Sequence, residues 1–196
     1  MMEGNTLFPV FIKLHTLRTL LVGAGPVGLE KLSALLSNSP SAQIKVVALE
    51  VIPEVAALCR EFPNVQLHQK AFEAQDLNDV NLVMAATNNE SLNQEIRSLA
   101  SLRKLLVNFA DKPALCDFYL GSVVKKGDLK IAISTNGKSP TVAKRLKELL
   151  NESLPDDIDL ALQQMAALRL TLEGDFAEKV RVLNEVTSVL IENKKQ

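Results

Sequence analysis

Cysteine and histidine are scarce in this sequence, and their scarcity argues against several kinds of site. The 196 residues include two cysteines and two histidines. Cys59 and Cys116 lie far apart and have no partner at metal-ligand spacing, so neither a disulfide framework nor a structural zinc site is indicated. His15 and His68 stand alone, and we interpret both as surface or strand residues. We therefore expect no dedicated metal site.

Long apolar runs and a signal peptide are also missing. No run approaches the ~20 apolar residues that a helix needs to span a bilayer, and residues 1–5 lack the basic and apolar regions of a secretory signal. Hydrophobic residues make up 47% and charged residues 23% of the chain, which is typical of a folded domain and not of a disordered one. We expect a soluble cytoplasmic protein that does not bind membranes.

Short apolar runs alternate with helical patterns through the first half of the chain. Strands are predicted at residues 19–22, 44–49, 65–68, 82–86 and 105–108, and helices at 29–36, 53–62 and 91–101. Fully apolar short strands between helices are typical of a parallel sheet covered on both faces. The predicted fold class is therefore α/β, a Rossmann-like doubly wound parallel sheet, which we place at residues 1–112.

After Pro113 the pattern changes to a hairpin followed by helices. Antiparallel strands are predicted at 118–125 and 129–134, a tight turn at 126–128, and a helix beginning at Ser139-Pro140. We assign residues 113–150 to a small strand-helix domain. Residues 151–196 form a short helical domain in this interpretation, with two helices separated at Gly174.

A glycine-rich turn follows the first predicted strand. Gly23, Gly25 and Gly28 have the spacing of the dinucleotide fingerprint: a tight turn, close approach of the backbone to a pyrophosphate, and close packing of the helix on the sheet. Glu50 ends the second strand, 22 residues after Gly28. An acid there can bind the ribose hydroxyls and would repel a 2′-phosphate, so the pattern favours NAD over NADP. A purely structural turn is the alternative.

Polar residues follow two later strands, at the edge where open sheets of this class bind ligands. Thr87 and Asn88 could contact the second half of a dinucleotide, or Asn88 or Asn89 could simply cap the next helix. Asp111 is the one carboxylate of the loop 108–113. It could accept a proton while a hydride leaves a neighbouring carbon, or it could be an ordinary turn residue.

Charge is distributed unevenly along the chain. The net charge is −1, which argues against a general nucleic-acid-binding protein, but residues 121–150 hold seven basic and two acidic residues. This basic segment includes the loop Ser134–Ser139. The loop, Lys138 and the following helix N-terminus can hold carboxylates or phosphates. A solvated basic helix face is the alternative.

Several sequence blocks occur in an order typical of one enzyme family. They are Phe8–Phe11, Leu20–Gly25, Ala85–Asn89, Asn108–Pro113 with Cys116–Phe118, and Ile133–Pro140. In these blocks the chain resembles the precorrin-2 dehydrogenase family, which includes enzymes that also act as sirohydrochlorin ferrochelatases and the corresponding part of multifunctional sirohaem synthases. The resemblance covers nearly the whole chain, although residues from about 155 onward match only in helical character.

The resemblance implies a homodimeric enzyme that oxidises precorrin-2 to sirohydrochlorin with NAD+, and in bifunctional members also inserts Fe2+. It places the general base at Asp111 and assigns the basic segment to the carboxylates of the tetrapyrrole. Together with the motifs above, the candidate cofactor-binding residues are Gly23, Gly25, Pro26, Val27, Gly28, Leu49, Glu50, Ala86, Thr87 and Asn88. The candidate substrate-binding residues are Asn108, Ser134, Lys138 and Ser139.

Three other classes of protein fit the sequence less well. A non-catalytic NAD-sensing regulatory module would account for residues 1–105 but not for the blocks after them. A short-chain oxidoreductase would need a tyrosine and a lysine four residues apart, whereas Tyr119 is the sole tyrosine and position 123 is Val123. A scaffolding dimer with a vestigial pocket has no positive support in the sequence.

Overall fold

The computed structural model describes residues 4–187. In chain order its strands and helices are β1 (Arg18–Ala24), α1 (Pro26–Asn38), β2 (Gln43–Val51), α2 (Pro53–Glu61), β3 (Val65–Gln69), β4 (Leu82–Ala85), α3 (Glu90–Leu102), β5 (Leu106–Phe109), β6 (Ser122–Lys126), β7 (Leu129–Ile133), α4 (Pro140–Ser153), α5 (Ile158–Thr171) and α6 (Phe176–Thr187). Short 3-10 turns lie at Leu14–Thr16, Ala74–Leu77 and Pro113–Leu115. Every predicted element of the first 112 residues is present.

The first five strands form one parallel sheet in the order β3-β2-β1-β4-β5. The strand order reverses between β1 and β4, because the chain builds outward from β1 first on one side and then on the other. Open sheets of this kind bind ligands beyond the carboxyl ends of the strands at such a point. The predicted Rossmann-like doubly wound sheet is confirmed.

Both faces of the sheet are covered by apolar residues, which explains why its strands read as unbroken apolar runs. On β1, Leu20 packs into one core cluster and Leu21 into the other, and both are fully buried. Successive side chains of a strand point to opposite faces, so each face receives every second residue. Burial of each such side chain contributes about 1.5–3 kcal/mol.

The chain divides into two compact units between Leu120 and Gly121. In the second unit β6 and β7 form an antiparallel hairpin with Ser122 opposite Ile133, and α4 packs on it through the buried Ala143. The first strand of this hairpin begins at Ser122 and not at residue 118 as predicted. Phe118 packs against the core of the first unit, and its carbonyl accepts a hydrogen bond from Asn108, so it is not available for the hairpin.

The break between the two helices after α4 lies where the sequence predicts it. Gly174 has a φ of +100° between α5 and α6, a left-handed conformation that glycine adopts without cost. The Lys126 ammonium binds the Leu154 carbonyl at 2.7 Å and the Asp156 carboxylate at 2.6 Å, which ties the hairpin to the start of α5. Residues 188–196 of the predicted helical domain lie outside the described residues. The division into three domains stays a prediction.

None of the helices in residues 4–187 is both long and apolar enough to cross a bilayer.

Candidate cofactor site and active site

The turn between β1 and α1 lies against the end of β4. Gly23 has a φ of +105°, and a Cβ added to it would contact the Ala86 carbonyl oxygen and lie 2.8 Å from the Ala86 carbonyl carbon. A Cβ on Gly28 would contact the Gly23 carbonyl oxygen. Both glycines are therefore required by the packing of this turn, whether or not a ligand is bound.

Gly25 differs from its two neighbours in the motif. It has a φ of −86°, which any residue adopts, and a Cβ built there would meet no heavy atom of the described chain within 4 Å. Gly25 is also the N-cap of α1, and no side chain of residues 4–187 caps this helix. The first turn of α1 thus presents backbone N–H groups and the positive end of the helix dipole to open space, an arrangement that suits an anion.

The end of β2 supplies the predicted acidic residue. Leu49 is 69% exposed and Glu50 is also exposed, although both belong to the strand. The Ile52 amide donates to the Ala24 carbonyl at 3.1 Å, which holds the end of β2 beside the end of β1. Glu50 is therefore positioned at the same edge of the sheet as the glycine turn.

The loop after β4 is fixed by a buried asparagine. The Thr87 hydroxyl donates to Asn93 Oδ1 at 2.8 Å, and Asn93 Nδ2 donates to the Thr87 carbonyl at 3.1 Å. Asn93 is only 3% exposed, and sequence reasoning gave it no role. Both Asn88 and Asn89 are exposed, but Asn89 Oδ1 accepts a hydrogen bond from the Leu92 amide at 3.0 Å, so Asn89 is the N-cap of α3.

Asp111 follows β5 with its side chain exposed. Its φ is +56°, a left-handed conformation that is uncommon outside glycine but tolerated by aspartate. The Ala110 amide donates to the Ala85 carbonyl at 3.0 Å, so the chain just before Asp111 lies beside the end of β4. The predicted base thus lies at the edge of the sheet that carries the glycine turn and Thr87.

Three side chains hold the loop around Asp111. The Asn108 amide donates to the Phe118 carbonyl at 2.8 Å. The Cys116 thiol accepts from the Phe109 amide at 3.1 Å. The Asp117 carboxylate accepts from the Val107 amide at 3.0 Å and from Arg97 Nη1 at 2.5 Å. Cys116, Asp117 and Arg97 are absent from the residues predicted for the site, since their partners are backbone atoms and a distant helix.

Charge and burial shift two of the ionisable groups in this loop. The hydrogen bond from the Arg97 guanidinium holds the pKa of Asp117 below its usual value, although partial burial acts in the opposite direction. Burial raises the pKa of the Cys116 thiol, and the hydrogen bond from Phe109 only partly offsets this effect. Cys116 is therefore a neutral thiol near neutral pH, able both to accept and to donate.

The predicted substrate loop lies in the second unit. Ser139 caps α4 through the Val142 amide at 3.2 Å, and Thr135 Oγ1 donates to the Ser139 carbonyl at 3.1 Å. Asn136 and Gly137 have φ values of +54° and +72°, so two successive left-handed residues form the tip. Ser134 and Lys138 are both exposed. The loop is ordered by its own hydrogen bonds, and Lys138 extends from it.

Four of the predicted groups share one edge of the parallel sheet. The glycine turn, Glu50, Thr87 and Asp111 lie at or just after the carboxyl ends of β1, β2, β4 and β5, which share this edge. Asn108 lies at the end of β5, but its amide is engaged inside the loop. Within residues 4–187, no three His, Cys, Asp or Glu side chains are grouped as metal ligands.

A comparison with known families decides the assignment of the first unit. Residues 10–122 match the family described as "Putative NAD(P)-binding". The chain belongs to this NAD(P)-binding family. Residues 126–153 of this family member also match the family described as "Sirohaem biosynthesis protein central".

Curated relatives of this NAD(P)-binding family member are named siroheme synthases. The one from Thioalkalivibrio sulfidiphilus is 36% identical over 76% of this chain and 30% of its own length. The one from Pseudoalteromonas atlantica is 34% identical over 86% of this chain and 36% of its own length. The chain therefore spans about a third of the length of these relatives.

A solved structure shares the fold of this NAD(P)-binding family member. It is that of "SirC, precorrin-2 dehydrogenase", with a TM-score of 0.76 and 24% identity over 92% of this chain and 89% of the other. At that identity the likeness shows the fold alone.

Proposed function

We propose that this chain oxidises precorrin-2 to sirohydrochlorin with NAD+, in the biosynthesis of siroheme. The observation that carries the proposal is the exposed, left-handed Asp111 beside the end of β4, in a chain with an NAD(P)-binding first unit. The names of the similar proteins, siroheme synthase and precorrin-2 dehydrogenase, support this choice of substrate.

The cofactor fits the open space at the start of α1. Gly25 leaves room for a pyrophosphate, and the amides of Val27 and Gly28, which have no carbonyl acceptor within the helix, are the proposed donors to it. Pro26 has no N–H and fixes the backbone for the helix start. Leu49, Ala86 and Asn88 are the further predicted contacts. Bound NAD+ supplies the hydride acceptor of the reaction.

Glu50 favours NAD+ over NADP+ in this proposal. Its carboxylate is exposed at the end of β2, at the edge that would receive the adenosine ribose. A carboxylate accepts hydrogen bonds from two ribose hydroxyls, and it repels the 2′-phosphate of NADP+.

Asp111 is the proposed general base. The oxidation removes two hydrogens from the substrate. One leaves with two electrons as a hydride, and the other must leave as a proton. The Asp111 carboxylate is exposed at the switch-point edge and can accept that proton. Such a base typically contributes about 10²- to 10⁴-fold to the rate.

The second unit is proposed to hold the carboxylates of the substrate. Lys138 extends from the loop Ser134–Ser139, beside the N-terminus of α4, and both features attract anions. Ser139 is used by its own helix cap, so its backbone is the more suitable donor. Asn108 supports the Asp111 loop through Phe118 and would act on the substrate through that loop.

We further propose that two copies of the chain assemble through α4. One face of this helix packs on the hairpin, while Val142, Leu146 and Leu149 are 49%, 40% and 56% exposed on the other. An apolar stripe of this kind is typical of a subunit interface. Analytical ultracentrifugation should show a dimer in the wild type, and Leu146→Glu should shift it toward the monomer.

Iron insertion is the second reaction in the proposal. Fe2+ is a substrate here, and its entry requires that pyrrole N–H protons leave. Asp111 is the group proposed to accept them, as in the oxidation. A faster rate of Fe2+ insertion than in protein-free buffer would support this second activity.

An anaerobic spectroscopic assay tests the proposal. Purified protein is mixed with enzymatically generated precorrin-2 and NAD+, and NADH and the sirohydrochlorin spectrum are followed before Fe2+ is added. Asp111→Asn should lower kcat by about 10²- to 10⁴-fold and leave NAD+ binding unchanged. Asp79→Asn is the matched control, because Asp79 is also exposed and has a φ of +57°. Asparagine tolerates this conformation at both positions.

One result would reverse the proposal. If the wild type binds NAD+ and leaves precorrin-2 unchanged, the chain is better explained as a non-catalytic NAD-sensing module. If Asp111→Asn and Asp79→Asn retain the same kcat as an active wild type, the base is a different residue.

A further inference from the structure

We propose that Cys116 is a positioning residue, whose thiol fixes the direction in which Asp111 presents its carboxylate. The proposal rests on the proposed function for its catalytic consequence. Its structural part, that the thiol holds the loop, can be tested without substrate.

The thiol contacts the chain on both sides of Asp111. Cys116 Sγ accepts a hydrogen bond from the Phe109 amide at 3.1 Å, two residues before Asp111. The same sulfur lies 3.3 Å from the Phe109 carbonyl and 3.4 Å from the Lys112 carbonyl, and it can donate its one hydrogen to either. With its hydrogen donated to the Lys112 carbonyl, the thiol links the end of β5 to the residue that follows Asp111.

Packing does not hold the tip of this loop. Residues 111–114 are all exposed, so their side chains have no apolar core to fix them. The ion pair of Lys112 with Glu90 is 3.4 Å long and exposed, and such pairs contribute little. The conformation of the tip therefore depends on its polar contacts, which are the backbone hydrogen bonds of the turn Pro113–Leu115 and the side-chain contacts at the base of the loop.

Among the described side chains that hydrogen-bond to this loop, the Cys116 thiol is the one that contacts backbone atoms both before and after Asp111. Asn108 and Asp117 bind the Phe118 carbonyl and the Val107 amide, which lie at the two ends of the loop. They close the loop at its ends. After Asp111 the chain turns through Pro113–Leu115, where the Leu115 amide donates to the Lys112 carbonyl at 3.0 Å and the Tyr119 hydroxyl to the Pro113 carbonyl at 3.4 Å. Neither of these two contacts joins the chain after Asp111 to the end of β5. Phe109 itself is only 3% exposed, so without the thiol its amide loses a partner where water has little access.

The structural part is tested by hydrogen exchange on the full chain. Cys116→Ala removes both functions of the sulfur, and we expect faster exchange at the amides of residues 109–112. Cys116→Ser retains a donor and an acceptor and should restore much of the protection. Cys59→Ala is the matched control, because Cys59 is a buried cysteine of α2 in the same core cluster as Leu21. Unchanged exchange in Cys116→Ala would overturn the proposal.

The catalytic part is tested by kcat in the precorrin-2 assay. Displacing a reacting group by ~1 Å can cost about 10²-fold, so we expect Cys116→Ala to lower kcat about 10- to 100-fold with the Kd for NAD+ unchanged. Cys116→Ser should recover part of this loss, and Cys59→Ala should keep the wild-type kcat.

A double variant distinguishes positioning from general damage to the protein. If Cys116 acts through Asp111, adding Cys116→Ala to Asp111→Asn should change the residual kcat by less than about twofold. An equal loss in both backgrounds would overturn the positioning role while the proposed function stands. An inactive wild type would overturn the proposed function, and the exchange result would then decide the structural part alone.

Discussion

Replacing Gly25 by alanine should separate cofactor binding from folding. The new Cβ would meet no heavy atom of the described residues within 4 Å, and a φ of −86° suits alanine. Alanine caps a helix less well than glycine, by up to about 1 kcal/mol. It also restricts the unfolded chain, which stabilises the fold by about 0.4–1 kcal/mol. We expect these effects to cancel, so the free energy of unfolding should change by less than ~1 kcal/mol.

Cofactor binding by Gly25→Ala should be much weaker, because the methyl group would occupy the proposed pyrophosphate space. Losing one hydrogen bond to a charged group costs about 1.5–3 kcal/mol. Since 1.4 kcal/mol is about tenfold in Kd, the Kd for NAD+ should rise about 10- to 150-fold. Isothermal titration calorimetry with NAD+ measures the Kd, and chemical denaturation measures the stability.

Gly23→Ala is the control, because it should lose stability where Gly25→Ala should not. Its φ of +105° and the Ala86 carbonyl carbon at 2.8 Å leave no room for a Cβ. Backbone strain costs about 1–3 kcal/mol and overpacking about as much again, so this variant should lose stability. Wild-type affinity for NAD+ in Gly25→Ala, or a loss of stability equal to that of Gly23→Ala, would refute the reasoning.

Three further outcomes follow from the contacts of the site. Arg97 holds the pKa of Asp117 below its usual value, so the stability from this pair is complete above the unfolded pKa, about 3.9, and is lost as pH falls through the lower folded pKa. Unfolding followed by circular dichroism should therefore show that the stability of Asp117→Asn falls less steeply as the pH is lowered than that of the wild type. Asn93→Ala removes the partner of the Thr87 carbonyl and leaves the Thr87 hydroxyl with only its longer contacts to Asn89, and urea denaturation should show a loss of about 1–3 kcal/mol. Lys138→Ala should raise the KM for precorrin-2 with the Kd for NAD+ unchanged, and equal changes in both would contradict the assigned role.

The parts of the fold that depend on local pattern were predictable from sequence. The glycine turn between β1 and α1 follows from its spacing, and the separation of α5 and α6 follows from Gly174. Apolar runs such as that of β4 indicated strands buried on both faces. The helix cap after β4 was left open between two asparagines, and only the Leu92 contact shows that it is Asn89.

The contacts that hold the Asp111 loop were not predictable from the sequence in this way. Cys116 has the properties of an inert buried thiol in the sequence, and its role depends on backbone atoms of Phe109 and Lys112. The left-handed conformation of Asp111 leaves no trace in periodicity or composition. The strand predicted from residue 118 was wrong for a related reason, because Phe118 is held by a long-range contact that overrides its strand propensity.

The strand order also sets when the ligand crevice can form during synthesis. β1 and β2 are close in sequence, whereas β1 meets β4 across a long separation, as in the bond from the Arg18 amide to Asn81, 63 residues later. Closing such a loop costs entropy that local pairing does not. A nascent chain ending before Leu82 contains the glycine turn but lacks the strand that forms the opposite wall. A nascent chain should therefore bind the cofactor only after β4 has joined the sheet, and the glycine turn alone should not be sufficient.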